Sequence, residues 1–150
     1  MCGDSQAART VAEGLLARTR DALMAGDADA FCACFALPHR IELFDSTNLI
    51  ETPEDLKAVF FAMRGFLLRH GITEMVRHCI EAEFVDEDTI SSTHMSRLLR
   101  GHELMQPPYP VYSIVKRIEG AWLIAHGKYA VANSPDLDRA LGARSGGRDD

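Results

Sequence analysis

The chain has 150 residues, of which 47% are hydrophobic and 25% charged, and its formal net charge is −6. A domain of this length buries roughly two thirds of its unfolded surface, which is enough for a core. The acidic balance and the absence of a basic stripe predict no nucleic acid partner, because binding to phosphate backbones relies on clustered Lys and Arg. No apolar run approaches the ~20 residues that span a bilayer, so we expect no membrane partner.

The first residues of the chain lack the basic and apolar blocks of a secretory signal. This predicts a cytoplasmic protein with reduced thiols. Cys32 and Cys34 lie two positions apart in a helical pattern and so point to different sides of the helix, which argues against a metal site. With Cys79, they are expected to be small buried hydrophobes.

Three helices are predicted in the first half of the chain. Apolar positions follow helical spacing over residues 8–25, and Asp27 can cap a short second helix. The third helix begins at Thr52-Pro53-Glu54-Asp55, which combines a cap oxygen, a preset φ angle and carboxylates at the positive helix end. It extends to Gly71, and its long apolar face requires a large apolar partner surface.

Most of the remaining chain is predicted to be strand. Residues 39–45 alternate in polarity and residues 49–51 return after a turn. Consecutive antiparallel strands follow at 73–85, 89–100, 111–118 and 121–132. Residues 134–150 lose this periodicity and are expected to form a polar tail without a role in the core. The order predicts an α+β fold, with three helices covering one face of a mostly antiparallel sheet.

Several motifs carry a resemblance to a known family. They are the helical hairpin ended by Gly26-Asp27, the Thr52-Pro53-Glu54-Asp55 helix start, the hairpin at residues 86–90, and residues 116–124, which combine an acidic-Gly turn with Trp-x-Ile. Over roughly residues 7–133 the chain resembles the nuclear-transport-factor-two-like, or SnoaL-like, α+β cone superfamily, which makes residues 1–133 a single domain.

The resemblance implies a strongly curved sheet wrapped around the helices, with a cone-shaped internal pocket and a homodimer formed through the sheets. Members include ketosteroid isomerases, polyketide cyclases, dehydratases and epoxide hydrolases, alongside proteins that only bind. The Tyr and paired Asp set of the isomerases and the Asp-Arg-Asp set of the hydrolases have no counterpart in this chain. The resemblance therefore implies a pocket and no particular reaction.

Candidate catalytic residues come from strand alternation. A neutral imidazole can give or take a proton near physiological pH, and the chain has six histidines. His39 shares a strand face with Asp45, and His126 shares one with Trp122 and Ile124. We predict His39 or His126 as a base and Asp45 as the carboxylate that orients it.

The same alternation gives candidate ligand-binding residues. His78 shares a face with Val76 and Phe84, and His94 has Ile90 and Leu98 on its side of a strand. The predicted ligand-binding set is His78, His94, Tyr112 and Trp122.

Each candidate also has a purely structural interpretation. A histidine on an apolar strand face is often a hydrogen-bonded core residue, Asp45 is placed to cap a turn, and Tyr112 and Trp122 can simply pack. No short His or Cys spacing indicates a metal, and no glycine-rich strand-to-helix turn indicates a phosphate cofactor. We expect neither metal nor cofactor.

The sequence thus predicts a pocket protein for a small apolar organic molecule. If it is an enzyme, cofactor-free isomerisation, cyclisation or dehydration by acid/base chemistry is expected. The alternative is a non-catalytic ligand-binding or dimeric interaction protein. The expected dimer surface is a second, apolar sheet face composed of Met75, Cys79, Met95, Leu99, Val111, Val115, Leu123 and Tyr129.

Overall fold

The computed structural model describes residues 2–131 and 134–145, with the side chains of residues 2–4 excepted. Its helices are α1 (Cys2–Ala25), α2 (Ala28–Cys32), α3 (Pro53–Arg69) and α4 (Pro135–Leu141). Its strands are β1 (Phe35–Glu42), β2 (Thr47–Ile50), β3 (Glu74–Asp86), β4 (Thr89–Arg100), β5 (Glu103–Leu104), β6 (Tyr109–Ile118) and β7 (Ala121–Tyr129). The predicted α+β class is confirmed.

The strands form one mixed sheet in the order β2-β1-β7-β6-β4-β3, with the short β5 paired to β4. Among the pairs of strands that the structure describes, β1 and β7 run parallel and the others run antiparallel. The ladders shift register within β3 and between β6 and β7, where extra residues increase the local twist. Helices α1 to α3 lie on the concave side of this sheet.

The predicted start of α3 is confirmed by its geometry. Thr52 Oγ1 accepts a hydrogen bond from Asp55 N at 3.2 Å, and Pro53 occupies the first helical turn. At the other end Gly71 adopts a φ of +66°, a conformation that costs glycine little. The predicted apolar face is buried throughout, at Leu56, Val59, Phe60, Met63, Phe66 and Leu67.

Strand β1 begins and ends earlier than predicted. Helix α2 ends at Cys32, and β1 begins at Phe35 and ends at Glu42, not at residue 45. Pro38 therefore lies inside a strand that has neighbours on both sides. Because proline cannot donate to a ladder, the pairing of β1 with β7 is irregular between Phe35 and Arg40.

Helix α4 corrects the expectation that the chain has no core role after residue 133. Leu137 and Leu141 are 0% and 2% exposed, and Asp136 accepts a hydrogen bond from His70 Nε2 at 2.7 Å. Asn48 Nδ2 donates to the carbonyl oxygen of Leu141 at 3.0 Å. The predicted domain boundary at residue 133, like residues 146–150 of the predicted tail, lies outside the described residues.

Within the described ranges, no helix is both long enough and apolar enough to cross a membrane.

Candidate functional site

A cavity of about 80 Å³ lies between the concave face of the sheet and the helices. All four helices contribute apolar side chains to its wall, among them Leu16, Phe31, Met63 and Leu141. The sheet contributes a polar cluster, which consists of His39, Arg77, His94, Ser96, Tyr109, Ser113 and Tyr129. This combination of apolar walls and convergent polar groups is typical of small-molecule sites.

Strand register places part of this cluster in a row. Arg77 on β3 is the direct partner of Ser96 on β4, and Ser96 is in turn the partner of Tyr109 on β6. Directly opposed residues on one face of a sheet have Cβ atoms roughly 5 Å apart. Three side chains with hydrogen-bond donors therefore lie side by side across three strands, and we call them the polar row.

His39 is held rigidly in the cavity wall. Its side chain is 2% exposed, its Nδ1 lies 3.2 Å from the carbonyl oxygen of Ile124, and the Phe35 ring packs edge-on against it. Because a carbonyl oxygen can only accept, Nδ1 carries the proton and Nε2 keeps a free lone pair. Burial lowers the pKa of His39 to about 4, so the imidazole is neutral at pH 7.

His94 is the second cavity histidine. It is 7% exposed and faces inward from β4. Burial, together with the positive charge of Arg77, lowers the pKa of His94 to about 3. Both cavity histidines are therefore uncharged at neutral pH.

Arg77 connects the sheet to α1. Its Nη2 donates to the carbonyl oxygen of Leu16 at 2.6 Å and to Thr19 Oγ1 at 2.8 Å. Its Nε atom is buried and has no hydrogen-bond partner among the described residues. Burial lowers the pKa of Arg77, but guanidinium remains charged in proteins. Among the described residues, the cavity lining contains this cation and no carboxylate.

The hydroxyl groups of the cluster remain protonated. Burial raises the pKa of Tyr109, and burial together with Tyr109 raises the pKa of Tyr129 to about 12. Ser96 Oγ is buried beside the Tyr109 hydroxyl, and this contact partly offsets the rise in the pKa of Tyr109. The row therefore presents neutral hydroxyl groups beside a guanidinium.

Among the predicted site residues, His39 and His94 line the cavity, whereas His78 does not. Ile80 is an extra residue on β3, because Cys79 pairs with His94 and Glu81 pairs with Thr93. This bulge shifts the alternation, so Ala82 points inward but His78 points outward. His78 is exposed, and its Nδ1 lies 3.4 Å from Arg97 Nη1.

A bulge also removes His126 from the cavity. His126 pairs with Ile114 and Ile124 pairs with Val115, which leaves Ala125 as an extra residue on β7. Ile124 lines the cavity, whereas His126 contacts the carboxylate of Glu42 outside it.

The other predicted site residues are also placed elsewhere. Asp45 is exposed in the bend between β1 and β2. Because β1 ends at Glu42, Asp45 does not share a strand face with His39. Tyr112 is 40% exposed on the outer face of the sheet. Trp122 packs against Phe84 beside a surface groove, and the Arg117 guanidinium lies over its ring at 5.3 Å.

The face predicted to form the dimer surface is largely the inner face. Met75, Cys79, Val111 and Val115 are buried, and Tyr129 lines the cavity. These residues are apolar because they pack in the core, so they do not support a dimer surface at this face.

Sequence reasoning missed Arg77, Ser96, Tyr109 and Tyr129. An informative signal was present at Arg77, because this charged residue alternates with Met75 and Cys79 on one face of a strand. Tyr109 lies between Pro108 and Pro110, before the predicted start of the strand at residue 111, because prolines usually interrupt strands.

Solved structures with a similar fold include an NTF-2-like protein of unknown function from Shewanella oneidensis, with a TM-score of 0.65, 14% identity and coverage of 81% of this chain and 98% of that one. A cystatin-like-fold protein of unknown function from Nostoc punctiforme has a TM-score of 0.63 and 20% identity, and the match covers 83% of this chain and 91% of that one. The protein Aln2 from a Streptomyces species has a TM-score of 0.62 and 15% identity, and the match covers 81% of this chain and 88% of that one. No protein-family model and no curated protein matches the sequence. The similarities confirm the predicted fold.

Proposed function

We propose that this protein, which has the nuclear-transport-factor-two-like α+β cone fold, binds a small organic molecule in the cavity between its sheet and its helices. One observation carries the proposal: Arg77, which lines the cavity, has a buried Nε donor with no partner among the described residues. An unsatisfied buried polar group costs about 1–3 kcal/mol. A ligand that supplies polar atoms there would recover part of this cost.

The cavity also limits the size of the ligand. An apolar cavity of about 150 Å³ accommodates benzene. The cavity described here encloses about 80 Å³, so a molecule of a few heavy atoms fits without movement of the walls. A longer molecule would need to displace side chains such as Met63 or to extend beyond the cavity.

Filling the cavity tests this proposal. Ser113 lines it from β6, directly opposite Gly127 on β7, which has no side chain. In the Ser113→Leu variant, we expect the new side chain to occupy the cavity and abolish binding of short-chain organic probes. Binding is measured by titration with two-dimensional NMR, in which shifts of residues around the cavity report occupancy.

Ser91→Leu is the matched control. Ser91 pairs with Ile114 on the outer face of β4, so the same substitution leaves the cavity unchanged. Probes that bind wild type and Ser91→Leu but not Ser113→Leu support the proposal. Equal binding to all three proteins, or no probe that shifts cavity residues in wild type, contradicts it.

Acid/base catalysis by His39 is a second candidate function. It is favoured by the anchored Nδ1 of His39, which directs the free lone pair to Nε2, and by the protonated hydroxyls of Tyr109 and Tyr129 as hydrogen-bond donors. Together they form a neutral base and neutral acids around one space, as proton transfer next to a carbonyl requires.

Hydrogen-deuterium exchange tests this candidate. We expect the protein to accelerate exchange of the protons beside the carbonyl of butanone in D₂O, and His39→Gln to slow it roughly 100-fold, because a general base typically contributes that much. His78→Gln is the control, since His78 is exposed on the outer face. No acceleration by wild type, or equal loss in both variants, would exclude His39 as the base.

The predicted homodimer also remains a proposal. Tyr112 and Ile118 are 40% and 43% exposed on the outer face of β6, and a second copy would cover them. Sedimentation velocity is expected to give a dimer for wild type and a monomer for Tyr112→Glu. A monomeric wild type would contradict this part of the proposal.

A further inference from the structure

The polar row combines one permanent cation with two hydroxyl groups. Arg77, Ser96 and Tyr109 occupy directly paired positions on β3, β4 and β6, and all three line the cavity. Arg77 Nη2 is committed to the carbonyl oxygen of Leu16 and to Thr19, whereas Nε is unpartnered among the described residues. The row therefore has donors to spare and lacks a strong acceptor.

The charge of the cavity also indicates that a negatively charged acceptor is missing. At neutral pH the two cavity histidines are uncharged and the two tyrosines are protonated, while the guanidinium carries one positive charge. No Asp or Glu of the described ranges lines the cavity. Arg77 is half-buried, and a charge with restricted access to water and no counter-charge in the cavity is costly. An anionic ligand would provide a counter-charge there.

We propose that the ligand of this cavity is a short-chain carboxylate, whose oxygens accept hydrogen bonds from Arg77, Ser96 and Tyr109 while its alkyl chain lies against the apolar walls. This inference rests on the proposed function, because it names the chemical class of the molecule bound in the same cavity. Arginine and hydroxyl groups at adjacent positions match the two oxygens of a carboxylate.

Other ligand classes fit the cavity less well. An organic cation would be repelled by Arg77, and a neutral amide would leave the guanidinium without a counter-charge. Inorganic phosphate carries more charge than one guanidinium compensates, and it has no alkyl part to contact the walls at Val59 and Met63. A small monocarboxylate satisfies both the charge and the apolar surface.

The test compares propanoate with propanamide, which have the same number of heavy atoms and differ in charge. Binding to the full chain is followed by two-dimensional NMR, including the Nε–Hε resonance of Arg77. We expect propanoate to bind at least about tenfold more tightly, because hydrogen bonds to a charged group are the stronger ones. Butanoate and butanamide repeat the comparison, and inorganic phosphate is titrated separately.

Arg77→Gln should reduce the affinity for propanoate to that for propanamide. Arg97→Gln is the matched control, because Arg97 lies on the neighbouring strand, opposite Val76 on the outer face. It should bind propanoate as wild type does. If Arg77→Gln does not fold, the comparison of the two probes with wild type decides the question by itself.

The outcomes separate the two proposals. A preference for propanoate that shifts Arg77 and is lost in the folded Arg77→Gln variant supports the inference. Equal or tighter binding of the amide overturns the inference and leaves the proposed function intact. Binding of phosphate and of neither organic probe overturns both proposals. If neither these probes nor neutral short-chain molecules shift cavity residues, both proposals fail.

Discussion

His39 and His94 are neutral because the core surrounds them, and their neutrality links the stability of the fold to pH. Both are buried among apolar side chains, and burial lowers the pKa of His39 to about 4 and that of His94 to about 3. In the unfolded chain both titrate near 6.5. Between these values the unfolded state binds more protons than the folded state does.

This difference predicts acid sensitivity. Stability should be highest above pH 6.5 and should fall as the pH decreases, because unfolding then gains protons. The loss in the free energy of unfolding that is due to His39 reaches about 3 kcal/mol once the pH falls below about 4, because each pKa unit corresponds to about 1.36 kcal/mol. The free energy of unfolding is measured by urea denaturation at several pH values.

The His39→Gln variant should show a shallower loss of stability than wild type between pH 6.5 and pH 4. His102→Gln is the control, since His102 is exposed and should leave the slope unchanged. An identical pH dependence in all three proteins would show that His39 is not buried in its neutral form.

Single residues also explain why the site could be predicted only in part. Alternation placed His39 and His94 on the inner face, where the structure has them. It failed for His78 and His126 because Ile80 and Ala125 are extra residues, and one extra residue exchanges the two faces of a strand. Bulges have no strong sequence signal, so alternation is dependable only up to the first one.

At the scale of elements, α4 is the clearest correction, and it gives a stability prediction. Leu137 is 0% exposed and packs in the main core, so Leu137→Ala should cost about 2–5 kcal/mol in the free energy of unfolding. Leu68 lies on the surface of α3 with 64% exposure, and Leu68→Ala should change stability by less than about 0.5 kcal/mol. Urea denaturation measures both variants. Equal costs would contradict the packing of α4.

The contrast between α3 and α4 shows what a helix needs in order to be predicted. In α3, a capping Thr52, the following Pro53 and six buried apolar positions all agree. In α4, the buried apolar positions Leu137, Ala140 and Leu141 span little more than one turn. Asn48 and Asp136 add polar contacts that hold α4 in place, but such contacts between distant residues cannot be inferred from local sequence.

At the scale of the whole molecule, the order of elements was sufficient to predict the fold class. Helices followed by long strands indicated helices packed on one face of a sheet, which the structure confirms. The parallel pairing of β1 with β7 was not predictable, because it joins segments more than 80 residues apart. The polar row joins strands that are close in sequence, but which residues pair in it depends on the extra residue Ile80, which the sequence did not reveal.

A crystallographic fragment screen tests the central claim most directly, because it reports binding at every surface of the molecule at once. We predict that small fragments collect in the cavity and contact Arg77, with acids more frequent than neutral fragments. Fragments bound only elsewhere, for example in the groove beside Trp122 or on the outer face at Tyr112, with the cavity empty, would contradict the assignment of this cavity as the functional site.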